Sequence, residues 1–193
     1  MTNLQKVGLL IESDDNLDMG RLCDSLAELE SLQFLCLEVE DSLQISLVAG
    51  LSKLSHVVKL KLKGDLASLA AHPCVFPPNV CQLTLVNSDL HPDSIQLDSM
   101  AILENGFRGL KFLRVDQLMS MKEMKLGKGA MAGLKCLQIF KCYLLRGLPE
   151  ELISLTNLEK LEILEIPEQF IARIQISDFH KLKHIPNIMV GTS

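Results

Sequence analysis

One spacing governs what this chain can fold into. Leucine, valine or isoleucine recurs in the pattern L-x-x-L-x-L, first at Leu4-Val7-Leu9 and Leu32-Leu35-Leu37, then at Val57-Leu60-Leu62 and Val80-Leu83-Leu85. Three more copies fall at Leu110-Leu113-Val115, Leu134-Leu137-Ile139 and Leu158-Leu161-Ile163. Successive starts lie 28, 25, 23, 30, 24 and 24 residues apart. Side chains that alternate every second residue belong to a strand, so the last two aliphatics of each copy share one face. A strand this short cannot bury that face alone. Stacked copies can, because neighbours close a continuous aliphatic column. Composition agrees, with 38 Leu, 13 Ile and 10 Val in 193 residues against 4% aromatics and no Trp.

The stretch LKCLQIFKCYLLRGLP, residues 134–149, extends the pattern to L-x-x-L-x-L-x-x-C-x-L followed by Leu-Pro. That is the full leucine-rich-repeat signature, and all the spacings but one, which exceeds it by a single residue, fall within its usual period of roughly 20–29 residues. Cys142 stands where an Asn or Cys satisfies backbone groups at the bend after the strand. Glu40, Asp65, Leu118 and Ile166 occupy that place elsewhere, which predicts an irregular ladder. The expected fold is α/β: a leucine-rich-repeat solenoid, or horseshoe. Its parallel sheet lines the concave face, and short helices or irregular segments form the convex one. Residues 1–193 are read as one domain of about seven to eight repeats.

The returning segments carry their own signals. Asp18 to Leu32 has Leu22, Leu26 and Leu29 at helical spacing. Asp98 to Phe107 also reads as a short helix, with Asp98 or Ser99 as its cap. The prolines of FPPNV, residues 76–80, favour an extended run into the next strand. Residues 145–158 predict a Leu-Pro turn and a brief helix. The methionine-rich segment 118–131 is read as an inserted loop or a short extra strand.

No chemistry emerges from motifs. The phosphate-loop pattern G-x-x-x-x-G-K-[ST] is absent, and GKGAMAG at 127–133 lacks its ending. His180 and His184 stand four apart, but Pro186 follows and no further ligand is evident. G-x-S-x-G is absent too, and the pairs Asp14-Asp15 and Glu150-Glu151 suit solvated faces or helix starts. Cys23, Cys36, Cys74, Cys81, Cys136 and Cys142 form no CxxC pair and are read as reduced thiols, as in the cytoplasm. The chain is therefore expected to be no enzyme, to use no cofactor or metal, and to be cytoplasmic. Its net charge of -5 argues against nucleic acid, and no apolar run reaches the roughly 18 residues of a spanning helix.

Strand alternation also selects the residues that face away from the core. These are Lys6 and Gly8; Phe34, Cys36 and Glu38; Lys59, Lys61 and Lys63; Gln82 and Thr84; Phe112, Arg114 and Asp116; Cys136, Gln138 and Phe140; and Lys160 and Glu162. Phe34, Lys59, Lys61, Lys63, Gln82, Thr84, Phe112, Arg114, Gln138, Phe140, Lys160 and Glu162 form the candidate protein-binding face. Basic and aromatic side chains on one surface suit an interface. A register slip of one residue would reverse every assignment.

Several phrases carry a family resemblance. FPPNVCQLTLVNSDLHPDSI, GAMAGLKCLQIFKCYLLRGLPEELISLTNLEKLEI, and the closing IPEQFIARI and FHKLKHIPNIMV are similar to late repeats of plant intracellular disease-resistance proteins of the nucleotide-binding leucine-rich-repeat (NLR) family, coiled-coil class. The resemblance covers nearly the whole chain. It implies a C-terminal repeat region without the coiled-coil and nucleotide-switch domains, hence a fragment or truncated product with an uncapped first repeat. It further implies defence partners: a pathogen effector or guarded host protein, and a nucleotide-switch domain restrained within a full-length parent. The alternative is a general signalling scaffold or a substrate adaptor of a ubiquitin ligase.

Overall fold

The computed structural model of the chain describes residues 3–12, 18–42, 45–66, 76–87, 98–104 and 106–192. Eight strands form one parallel sheet in the order β1 (Lys6–Ile11), β2 (Phe34–Ser42), β3 (Lys59–Asp65), β4 (Gln82–Val86), β6 (Phe112–Asp116), β8 (Cys136–Phe140), β9 (Lys160–Leu164) and β10 (Asn187–Gly191). A smaller parallel pair joins β5 (Ser99–Ile102) to β7 (Glu123–Leu126). Each strand of the large sheet lies beside the next copy of the aliphatic pattern. The architecture is a mixed α/β arrangement compatible with a solenoid.

The register follows from burial. Leu35, Leu60, Leu83, Leu113, Leu137 and Leu161 are mutual neighbours across β2 to β9, and none exceeds 2% exposure. Leu37, Leu62, Leu85, Val115, Ile139 and Ile163 form the second buried row. Each such side chain contributes about 1.5–3 kcal/mol by leaving water. A one-residue slip would turn a whole row to solvent, so hydrophobicity fixes the pairing.

The chain prepares each strand in the same way. A tight turn places the first aliphatic of the pattern under the sheet, its amide donating to the carbonyl three residues back. Such bonds run from Leu32 to Leu29, Val57 to Leu54, Leu110 to Phe107, Leu134 to Met131 and Leu158 to Leu155. Asn79 and Asn157 tie neighbouring turns together, their side-chain amides donating to the carbonyls of Ser55 and Ala132, both at 2.8 Å. Beyond the strands, Gln117, Lys141 and Glu165 take up left-handed φ values of 60°, 52° and 55°. The Gln117 and Lys141 amides donate to Phe140 and Leu164 of the next strand, which anchors those bends.

Helix α1 (Met19–Ala27) starts at Asp18, whose carboxylate accepts from the Gly20 and Arg21 amides. Its buried face is Met19, Cys23 and Leu26, packed against α2 (Ile45–Gly50), while Leu22 and Leu29 are half-buried. The brief helix of 145–158 is the 3-10 turn Glu150–Ser154. FPPNV makes a turn at its end, the Val80 amide donating to the Pro77 carbonyl. The expected helix over 98–107 is instead β5. Met100 and Ile102 alternate inward with Ala101 outward, and they pair with Met124 and Leu126, 24 residues on. Period two won because β7 supplies a partner strand, so the inserted-strand reading of 118–131 holds. The chain ends in a helical run from Glu168 to Leu182 and then β10. Ile185-Ile188-Val190 fits the aliphatic spacing that opens the chain, an eighth copy the motif reading overlooked.

Candidate functional site

All twelve candidate residues lie on the one face of the large sheet that is turned away from the aliphatic rows. Register arranges that face in three rows. The first runs Lys6, Phe34, Lys59, Gln82, Phe112, Cys136, Lys160, Asn187. The second runs Gly8, Cys36, Lys61, Thr84, Arg114, Gln138, Glu162, Met189. The third runs Leu10, Glu38, Lys63, Val86, Asp116, Phe140, Leu164, Gly191. Strands stand about 4.8 Å apart, so residues distant in sequence become lateral neighbours. The alternation rule missed Leu10, 57% exposed, and Met189, 53% exposed, at the two ends.

The two halves of the face differ in how their charges are used. On β6, β8 and β9 the charges are satisfied internally. Arg114 donates to Asp116 at 2.6 Å and lies 4.1 Å over the Phe140 ring. Phe140 is therefore a platform for Arg114 rather than an open aromatic. Lys160 pairs with Glu162 at 2.8 Å, and the Gln138 side-chain amide donates to the same carboxylate. Those contacts, Lys160's hydrogen bond first, hold the Glu162 carboxyl below its ordinary range despite burial. The hydrogen bond from Lys160 to Glu162 raises the Lys160 ammonium in turn.

On β1 to β4 the first two rows carry Lys6, Lys59 and Lys61 and no carboxylate. Among the described residues none of these three lysines is ion-paired, whereas Lys63 in the third row meets Glu38 at 2.6 Å. Phe34 stands between Lys6 and Lys59, Phe112 lies beyond Gln82, and both are half-buried, so each offers part of a ring to solvent.

The cysteines do not form a shared site. Cys142 is buried at the bend after β8, its thiol donating to the Phe140 carbonyl at 3.3 Å while the Leu118 amide donates to its sulfur. Burial pushes this thiol up to about 12. Leu118 and Ile166 fill the equivalent places as buried aliphatics. Cys23 is buried and Cys36, Cys81 and Cys136 are half-buried; burial also raises Cys23 and Cys136. Cys74 and the pair Asp14-Asp15 lie outside the described residues. His180 is exposed beside Glu150, and the half-buried His184 buries a ring nitrogen that has no hydrogen-bond partner among the described residues.

A groove of about 1110 Å³ runs beside β5 and β7 to the terminal helical run. Its charges are largely self-paired: Lys122 with Asp98, Lys125 with Glu123, and Lys181 with both Asp178 and Glu150. Arg146 and Arg173 also line it, with no ion pair among the described residues. The open sheet face is the better candidate because its side chains stand in continuous rows across eight strands.

No family model matches the chain. Three disease resistance proteins of Arabidopsis thaliana are similar to it over 97% of its length. Disease resistance protein RPM1 is 28% identical over 211 residues, which cover 22% of that protein. Probable disease resistance RPP8-like protein 4 is 27% identical and Disease resistance protein RPP8 is 25% identical, with 23% of each covered. The chain is thus similar to plant disease resistance proteins over nearly its whole length. It spans less than a quarter of the length of these curated relatives. This likeness supports the C-terminal, NLR-type region that the closing phrases resemble. No helix among the described residues of the chain is long and apolar enough to cross a membrane.

Proposed function

We propose that this chain is the recognition portion of a plant intracellular immune receptor. It forms a leucine-rich-repeat solenoid with the large sheet on its concave side, and binds a pathogen effector or a guarded host protein across the open rows. In a full-length parent the same region restrains a nucleotide-switch domain. It acts in the cytoplasm by binding, with no substrate turned over. The observation that carries this reading is the set of three unbroken rows, assembled from eight strands far apart in sequence, in a chain similar to disease resistance proteins. A surface so built can meet a large partner at many points, and its exposed positions vary without cost to the buried column.

The test is association of the chain with a separately expressed nucleotide-switch domain from a related receptor. Lys59→Glu and Lys61→Glu are predicted to weaken association at least about tenfold, equivalent to about 1.4 kcal/mol each. Circular dichroism should show the sheet unchanged. Association that ignores both substitutions would place the contact off this face.

A further inference from the structure

The unpaired lysines bear on the kind of partner. We infer that the β1–β4 half of the open face docks an acidic, extended protein segment, with carboxylates set against Lys6, Lys59 and Lys61 and separate apolar side chains against Phe34 and, at the edge of the patch on β6, Phe112. This inference rests on the recognition role proposed above and names the chemistry of the partner.

Three observations carry it. The chain as a whole is acidic, with a net charge of -5, yet the first two rows of β1 to β4 hold three cations and no carboxylate. The neighbouring half of the same face neutralises its charges internally, through Arg114 with Asp116 and Lys160 with Glu162, so it exerts no comparable pull. Spacing also fits a strand-like ligand: Lys59 and Lys61 lie about 7 Å apart along β3, the repeat of alternate side chains in an extended segment. Lys6 is two strands away from Lys59, roughly 10 Å. The half-buried Phe34 and Phe112 supply apolar area that an ion atmosphere alone would not use.

A long polyanion fits less well. Screening confines attraction to about 8–10 Å at physiological salt, so a short acidic segment senses only the lysine patch. A nucleic acid strand would extend beyond it over a half of the face whose charges are already paired, and gain nothing there.

The experiment titrates the chain with three fluorescent probes: a decapeptide alternating Glu and Leu, its Lys-Leu counterpart, and a twelve-nucleotide oligothymidylate. The Glu-Leu peptide should bind, weaken with added salt, and lose at least about tenfold in affinity to the double variant Lys59→Glu, Lys61→Glu. That variant should bind the Lys-Leu peptide instead, which shows that it is folded and that charge is what was exchanged. Lys183→Glu, at an exposed site beyond the face, should leave Glu-Leu binding unchanged. The inference is overturned by no binding of the Glu-Leu peptide, by equal binding to the double variant, or by tighter binding of the oligothymidylate. If it is overturned while Lys61 still governs association with the switch domain, the recognition role stands without the acidic partner. If it succeeds while no switch domain associates, the acidic site stands and the receptor reading falls.

Discussion

Lys181 is 3% exposed and Asp178 is 5% exposed, and both clasp one residue of the loop after β8. The Leu148 amide donates to Asp178 at 3.0 Å, Lys181 donates to the Leu148 carbonyl at 2.8 Å, and the two side chains pair at 2.8 Å. Burial pulls the Lys181 ammonium down, but hydrogen bonds and charge from Asp178 and Glu150 outweigh it and the net direction is up. Asp178→Ala would leave the buried Leu148 amide without its acceptor while Lys181 keeps Glu150 and the Leu148 carbonyl, so it should cost roughly 1–3 kcal/mol in urea unfolding. Glu150 and Glu162 set a pH dependence. The hydrogen bond from Lys181 to Glu150, and that from Lys160 to Glu162, hold these carboxyls below the ordinary value of about 4.3. A folded-state value below the unfolded one means that the unfolded chain takes up the proton first. The stabilisation is complete above about pH 4.3 and is lost as pH falls through the folded value. The urea midpoint should therefore drop between about pH 5 and pH 3, and Glu162→Gln should flatten that slope. Thiol labelling offers a third check. Buried Cys23 and Cys142 should resist alkylation until unfolding.

At the scale of elements, close backbone approach decides which glycines matter. Gly64 closes β3 at a φ of 124°, and a Cβ there would stand 2.2 Å from the Val39 carbonyl oxygen. Gly8, on β1, has nothing within 4 Å of that position. Gly64→Ala should cost more than about 2 kcal/mol, whereas Gly8→Ala should stay within about 0.5 kcal/mol, both read from denaturant midpoints. Elements also show where the sequence was legible. Strands β1 to β4, β6, β8 and β9 were readable because their aliphatics repeat every second residue at a nearly fixed interval. Strand β5 was not, because four residues with a single outward Ala give no clear period, and only β7, 24 residues later, makes them a strand. Of the helical turns, those at Met19–Ala27 and Glu150–Ser154 were placed to within a few residues, whereas α2 and the run from Glu168 to Leu182 were not anticipated. Helix α1 also buries Met19 and Cys23 where Leu22 and Leu29 were expected, since α2 sets the packing direction.

For the whole molecule, the twelve candidate residues share one surface because register carries information that no single motif holds. What the sequence concealed was the difference between its halves. Alternation says that Arg114 and Lys160 face outward, but not that Asp116, Phe140 and Glu162 already occupy them. Such pairings depend on lateral neighbours supplied by other strands. The molecule depends on one proposition: aliphatics two dozen residues apart meet in a single parallel spine, and the residues between them form one open face. Leu137→Ala, in the middle of that spine, should lower stability by about 2–5 kcal/mol. The most direct measurement is the network of methyl–methyl nuclear Overhauser effects among selectively labelled leucines. Leu35 should contact Leu60, Leu60 contact Leu83, Leu83 contact Leu113, and so on through Leu137 to Leu161, with each step seen only between adjacent strands. A spectrum linking these leucines in separate clusters, or finding their methyls in contact with solvent, would contradict the fold and the recognition face together.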